Sequence, residues 1–264
     1  MQRILVTACA VLLLLSGSPR GAAAAGCFPV ADLAPRLVPA AWSTAVLPAG
    51  AVMRLTFLGH ASFLIETAGG ASVVTDYNGY VRAPFTPDIV TMNNAHGTHY
   101  TDLVEPGVKY VLRGWNPEGG EAHHDLTYRD LRVRNVPTAV HGRSGAQGNS
   151  NSIFVFEAGD LCVAHLGHLH QLLTARELAE LGVIDVVLVP VDGTYTMSQE
   201  EMVEVVRAIG APVVVPMHYF GSAVLARFLA LVESERRIVE SPTPELMLSR
   251  AMLSQKTVVV LPGR

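Results

Sequence analysis

The sequence predicts an α/β protein in which two sheets pack face to face with helices on the outside. Two observations carry that expectation. From residue 52 onward, short β-branched and aromatic runs recur between Gly- and Pro-containing turns. In the second half, segments with helix-capping signals stand between those runs.

The elements follow in chain order. "VMRLTFL", "SFLIET" and "ASVVT" read as an antiparallel meander that turns at "LGHA" and "AGGA". "DIVTM", "KYVLR", "LRVRNV", "SIFVFE", "LCVAHL", "DVVLVP", "PVVVP" and "TVVVL" extend the strand series. "TARELAELG" pairs Thr174 with Glu177 at capping-box spacing and closes on Gly182, and "SQEEMVEVVRAIG" repeats the device with Ser198, Glu201 and Gly210. No internal repeat, low-complexity tract or interdomain linker interrupts the series.

The N-terminal residues follow other rules. Arg3, an apolar stretch from Ile4 to Leu15 and a small-residue run follow one another in the order of a secretory signal peptide, and the apolar part is short for a bilayer span. An uncleaved anchor is the alternative. The expected organisation is a signal peptide over 1–25, an irregular lead-in over 26–51 and one domain over 52–264. The destination is the periplasm or the outside of the cell, with no stable membrane span after cleavage. Cys27, which follows "AAG", is a second candidate, for lipid attachment.

Composition narrows the function classes. The chain of 264 residues is 50% hydrophobic and 16% charged, which suits one large core. Without Arg3 and Arg20 the remainder carries 17 basic against 23 acidic side chains, a charge of about −6 with histidine neutral, which argues against nucleic acid as a partner. Cys27 and Cys162 can form a disulfide in an oxidising compartment, or Cys162 can be a buried thiol in its strand.

The ten histidines all lie between residues 60 and 218, and several follow strand ends: His96 and His99 after "DIVTM", His141 after "LRVRNVP", His168 and His170 after "LCVAHL", His218 after "PVVVPM". Strand ends on one edge of a sheet converge in space. Imidazole is the commonest ligand for zinc, and a catalytic zinc takes about three protein ligands and leaves a position for water. Four segments that end alike point to a metal site. Gly-x-Ser-x-Gly elbows, Walker-type loops and paired zinc-knuckle cysteines are absent from the sequence.

"RLTFLGHASFLIET", "NNAHGTHYTD", "HLGHLHQLLT", "IDVVLVPVDGTYT" and "VVVPMHY" together resemble the metallo-β-lactamase superfamily over about residues 52–220, and most nearly its L-ascorbate-6-phosphate lactonase-like branch. The resemblance implies a four-layer αβ/βα sandwich with a metal centre at one edge. It also exposes departures. The family loop His-x-His-x-Asp-His becomes Asn94-Ala95-His96-Gly97-Thr98-His99, and the family's Gly-Asp turn becomes Gly167-His168. His218 matches the last ligand, and His141 falls where an intermediate histidine belongs.

With the bridging carboxylate replaced by imidazole, one ion is expected rather than two, held by His96, His99, His168 and His218 with His141 as a fifth candidate. Zinc is the default metal, and Fe, Ni, Cu or Mn would also suit such a site. Asp76, Asp102 and Asp192 are candidate general bases, and His60 in "LGHAS", which matches a position facing the active-site edge in this branch, is a further candidate catalytic residue. Tyr195 and Tyr219 stand beside site segments. The expected activity is hydrolysis of a small ester, lactone or phosphoester; the alternative is a non-catalytic metal- or ligand-binding protein that keeps the fold.

Overall fold

A computed structural model describes Cys27, residues 47–142 and residues 145–263, with side chains described outside 140–149. The expected signal peptide and most of the expected lead-in therefore lie outside the described residues. No described helix is long and apolar enough to cross a membrane.

Six strands form the first sheet: β1 (Met53–Gly59), β2 (Ser62–Thr67), β3 (Ser72–Val74), β4 (Ile89–Met92), β5 (Tyr110–Arg113) and, from far along the chain, β13 (Glu245–Leu248), in the order β13-β1-β2-β3-β4-β5. The antiparallel meander of β1, β2 and β3 is present as the sequence predicts. The second sheet holds β6 (Asp125–Tyr128), β7 (Leu131–Gly142), β8 (Gly145–Ala158), β9 (Leu161–His165), β10 (Val186–Pro190), β11 (Val213–Met217), β12 (Arg237–Glu240) and β14 (Thr257–Val260), in the order β12-β14-β11-β10-β9-β8-β7-β6. Its β9-β10-β11 stretch is parallel. Parallel neighbours need crossovers, and α1 (Ala175–Leu181) and α2 (Gln199–Ile209) supply them; α3 (Ser222–Val232) follows β11.

Both predicted capping boxes form. Thr174 and Ser198 each accept from the amide three residues on, and Glu177 and Glu201 reach back to the cap backbone. The third helix opens on Gly221 without a side-chain cap, so its start leaves no local signature.

The core lies between the sheets. Met53, Leu55 and Phe57 of β1 and Phe63 and Ile65 of β2 meet Phe154 and Phe156 of β8 and Val186 and Leu188 of β10. Alternate residues of the second sheet, including Val155, Val187 and Val189, point the other way against Met202, Val206 and Phe228 of the helices. Strands covered on both faces read as unbroken apolar runs, which explains "DVVLVP" and "PVVVP". On the outer face of the first sheet, Leu64, Val90 and Met92 pack under Tyr77, Tyr100 and Trp115. The fourth layer of the expected sandwich is therefore irregular loop among the described residues, because the connections after β3 and β4 carry no described helix.

A disulfide joins Cys27 to Cys162, and the Cys27 carbonyl accepts from the Val183 amide at 2.9 Å. Of the two readings of Cys162, the structure takes the covalent one.

Candidate metal centre

The fold brings one end of each sheet to a common edge. β3 ends just before Asp76, β4 leads to His96 and His99, β9 to His168, β10 to Asp192 and β11 to His218, while His60 sits in the tight turn from β1 to β2. Ligand sites of α/β sheets lie at the carboxyl ends of parallel strands for the same reason: loops there converge while the strands behind them hold position.

Four imidazoles cluster at this edge. Ring centroids stand 4.1 Å apart for His60 and His218, 4.6 Å for His99 and His168, 5.1 Å for His99 and His218, and 5.3 Å for His168 and His218. Ligand atoms of His60, His99 and His218 all lie within 4.8 Å of one another.

Two carboxylates set the ring orientations from behind. Asp76 Oδ2 takes the Nδ1–H of His99 at 2.8 Å, and Asp192 Oδ1 takes that of His218 at 3.0 Å. Burial would raise both carboxyl pKa values. For Asp76 the neighbouring His99 outweighs it, and for Asp192 the hydrogen bonds from His218 and Thr196 do, so both are held below the usual carboxylate range. An ionised carboxylate only accepts, so each ring carries a proton on Nδ1 and turns its Nε2 inward. Those two Nε2 atoms are 3.3 Å apart. That separation suits two nitrogens that share one ion.

Further donors stand open at the same place. His60 Nε2 and His168 Nδ1 are buried without a hydrogen-bond partner. Burial, aided by His218 and His99, lowers the His60 pKa to about 4; burial, aided by His99 and His218, lowers that of His168 to about 2. Both rings are neutral at pH 7, the form that ligates. The donor set fits a transition-metal ion, since carboxylate–histidine pairs behind ligating nitrogens are the usual supporting shell of such sites.

The backbone is held in place around the group. His60, Asp76 and His218 have φ values of 54°, 46° and 55°, left-handed conformations that are uncommon for non-glycine residues and here are held by the surrounding hydrogen bonds. The His218 amide donates to the His60 carbonyl at 2.7 Å, and the Asn93 amide donates to Asp76 Oδ1 at 3.1 Å. Gly167, at φ 61°, fits where any Cβ would stand 2.6 Å from the Asn93 side chain, and the His168 amide donates to Asn151 Oδ1 at 2.8 Å. Asp192→Asn is expected to lower metal affinity about 10–100-fold by weakening the hold on His218. Chelator competition measures it, and unchanged affinity would free Asp192 of that role.

Several expected site residues take other places. Asp76 and Asp192, expected as general bases, have side chains 0% and 1% exposed and hydrogen-bond His99 and His218 from the side away from the imidazole group. Asp102 is an exposed partner of Arg113. His60, expected as a catalytic residue, stands among the converging imidazoles instead. His96 is exposed, its ring 6.0 Å from His99 and its Nδ1 bonded to the Thr98 hydroxyl at 3.0 Å; like His168 it lies outside the group of three, but His168 is partly buried with a free Nδ1 and its ring is 4.6 Å from His99. The side chain of His141 lies outside the described residues. His165, which ends β9, is a different case: its Nε2 donates to the Ala61 carbonyl at 2.7 Å and its Nδ1 accepts from Gly167, making it a buried support for the turns carrying His60 and His168.

Residues 54–218 match the Beta-lactamase superfamily domain. The chain belongs to that superfamily. A metal-dependent hydrolase of Methanoculleus marisnigri is 33% identical over 184 residues, 63% of this chain and 81% of its own length. One from Carboxydothermus hydrogenoformans is 27% identical over 192 residues, covering 63% and 84%. The crystal structure of a protein described as a zinc-dependent hydrolase of the metallo-β-lactamase superfamily, from Thermotoga maritima, superposes with a TM-score of 0.60 at 29% identity, over 79% of this chain and 98% of that one. As a superfamily member, the chain places its histidine group at the strand-end edge of the same two-sheet scaffold.

Proposed function

We propose that this chain is an exported hydrolase that holds one transition-metal ion, zinc by default, among His60, His99, His168 and His218 and cleaves a small ester, lactone or phosphoester. The pair of inward-facing Nε2 atoms 3.3 Å apart, each backed by a buried carboxylate, is the observation that carries this reading. A divalent ion held there would supply Lewis acidity and make water a better nucleophile near neutral pH. Asp76 and Asp192 keep His99 and His218 in the ligating tautomer, and Thr196 and the Asn93 amide hold those carboxylates in place. Export is supported by the signal-like order of residues 1–25 and by the Cys27–Cys162 disulfide.

The one-ion stoichiometry rests on the altered loop. Asn94, at the position of the family's first histidine, spends its side chain on the Ser150 carbonyl at 3.0 Å. Thr98, at the position of the family's aspartate, bonds His96. Neither adds charge at the group. Elemental analysis of metal-replete protein is expected to find about one ion per chain, with turnover on at least one member of an ester, lactone and phosphoester panel. Two tightly held ions, or none, would overturn the assignment. Calorimetric titration of Thr98→Asp, which restores a carboxylate, is expected to show tighter binding or a second ion.

The engagement of Asp76 and Asp192 with His99 and His218 favours a second reading, a metal-binding protein without turnover. A loaded protein inert toward the whole panel would select it.

A further inference from the structure

We infer that Tyr195 and Phe220 form an aromatic shelf beside the histidine group, and that the shelf selects an uncharged ester or lactone whose acyl part carries an aromatic or similarly flat apolar group. The inference rests on the hydrolase reading above and names the substrate class for that site.

Phe220 is 60% exposed and Tyr195 65% exposed, yet the two rings pack edge-to-face with centroids 5.7 Å apart. Phe220 also stands 5.5 Å from His60 and 5.8 Å from His218. Apolar surface is thus left open at the edge of the site, which is how specificity pockets present a large contact area at low entropic cost. Both rings are mounted on constrained backbone. Asp192 Oδ2 accepts from the amides of Thr194, Tyr195 and Thr196, so the carboxylate that orients His218 also shapes the turn that displays Tyr195. Phe220 is pinned between left-handed His218 and Gly221, whose φ of 107° precedes the third helix.

Charge near the described histidines favours a neutral reacting group. The described segments framing the histidines, residues 59–61, 94–99, 166–173, 192–197 and 217–222, contain no lysine or arginine. Sites that cleave phosphoesters commonly add such cations to the metal ion as clamps on the phosphoryl oxygens, and the described segments here offer none. A neutral acyl carbon is the better match: water oxygen bonds to it, the acyl C–O bond breaks, and a water proton ends on the leaving alcohol.

Methyl phenylacetate, methyl acetate and 2-phenylethyl phosphate separate these features, because the two esters share a leaving group. With metal-loaded protein, kcat/KM for the phenylacetate is expected to exceed that for the acetate by about tenfold or more, mainly through KM. That ratio should collapse in Phe220→Ala, fall in Tyr195→Ala and recover in Phe220→Tyr, with metal content and melting temperature checked for each variant. Independently of turnover, phenylacetamide titrated into the loaded protein by calorimetry should bind several-fold more weakly to Phe220→Ala. Ester turnover without discrimination, a preference for the phosphate, or equal phenylacetamide binding in wild type and Phe220→Ala would each overturn the shelf. Phenylacetamide binding that depends on Phe220, with no turnover of any ester, would instead defeat the hydrolase reading and leave the shelf standing.

Discussion

His218→Ala is expected to strip the metal from the protein while leaving the chain folded. His218 is 2% exposed, faces His99 at 3.3 Å and is held from behind by Asp192, so its removal deletes a donor rather than an outer support. The loss in affinity should exceed the roughly 10–100-fold that removal of a supporting partner costs. The fold should survive because Asp192 keeps the hydrogen bonds from Thr196 and three backbone amides when His218 is gone. His123→Ala is the matched control, since that side chain is 73% exposed and 3.5 Å from Glu121. Elemental analysis and calorimetric titration of the two variants should differ sharply; a His218→Ala protein that holds metal as tightly as the control would end the assignment of this group as a metal site.

Reducing the disulfide should cost the protein a large share of its stability. Cys27 and Cys162 are 135 residues apart, and cross-linking a loop of that size removes much of the entropy of the unfolded chain. A loss of about 3–5 kcal/mol is expected, measured as the shift in urea midpoint with and without reductant. Part of it is local: Cys27 is 2% exposed and packs with Leu181 and Ile184, so freeing it also opens that cluster. An unchanged midpoint, or two free thiols titrated in air-oxidised protein, would remove the bond from the account.

The central strands were readable because their burial is two-sided, and a strand covered on both faces has to be apolar at every position, as "DVVLVP" is. The capped helices were readable because a capping box is a contact between residues three apart. The edge strands "DLTY", "RIVE" and "ELML" carry no such mark: they are partly exposed, and pairing with β7, β14 and β1 does not show in their composition. The third helix carries none either, because a glycine N-cap resembles any loop glycine.

At the site, residue type and position after strand ends were enough to single out His99, His168 and His218 as metal-site candidates. Sequence alone does not rank histidines by where their rings end up. His96 and His99 are three residues apart in one loop, yet the first is exposed and the second fully buried against Asp76. His60 joins the group only because the left-handed turn between β1 and β2 carries it to His218, 158 positions away in the numbering, where backbone and ring both make contact. Asp76 and Asp192 looked like bases because a carboxylate after a strand looks the same whether it faces substrate or the back of an imidazole. Residue chemistry and local spacing are written in the chain and determined the fold class and the kind of site; which side chains share one point in space depends on strand pairings made across more than a hundred residues, and only the packed sheets decide that.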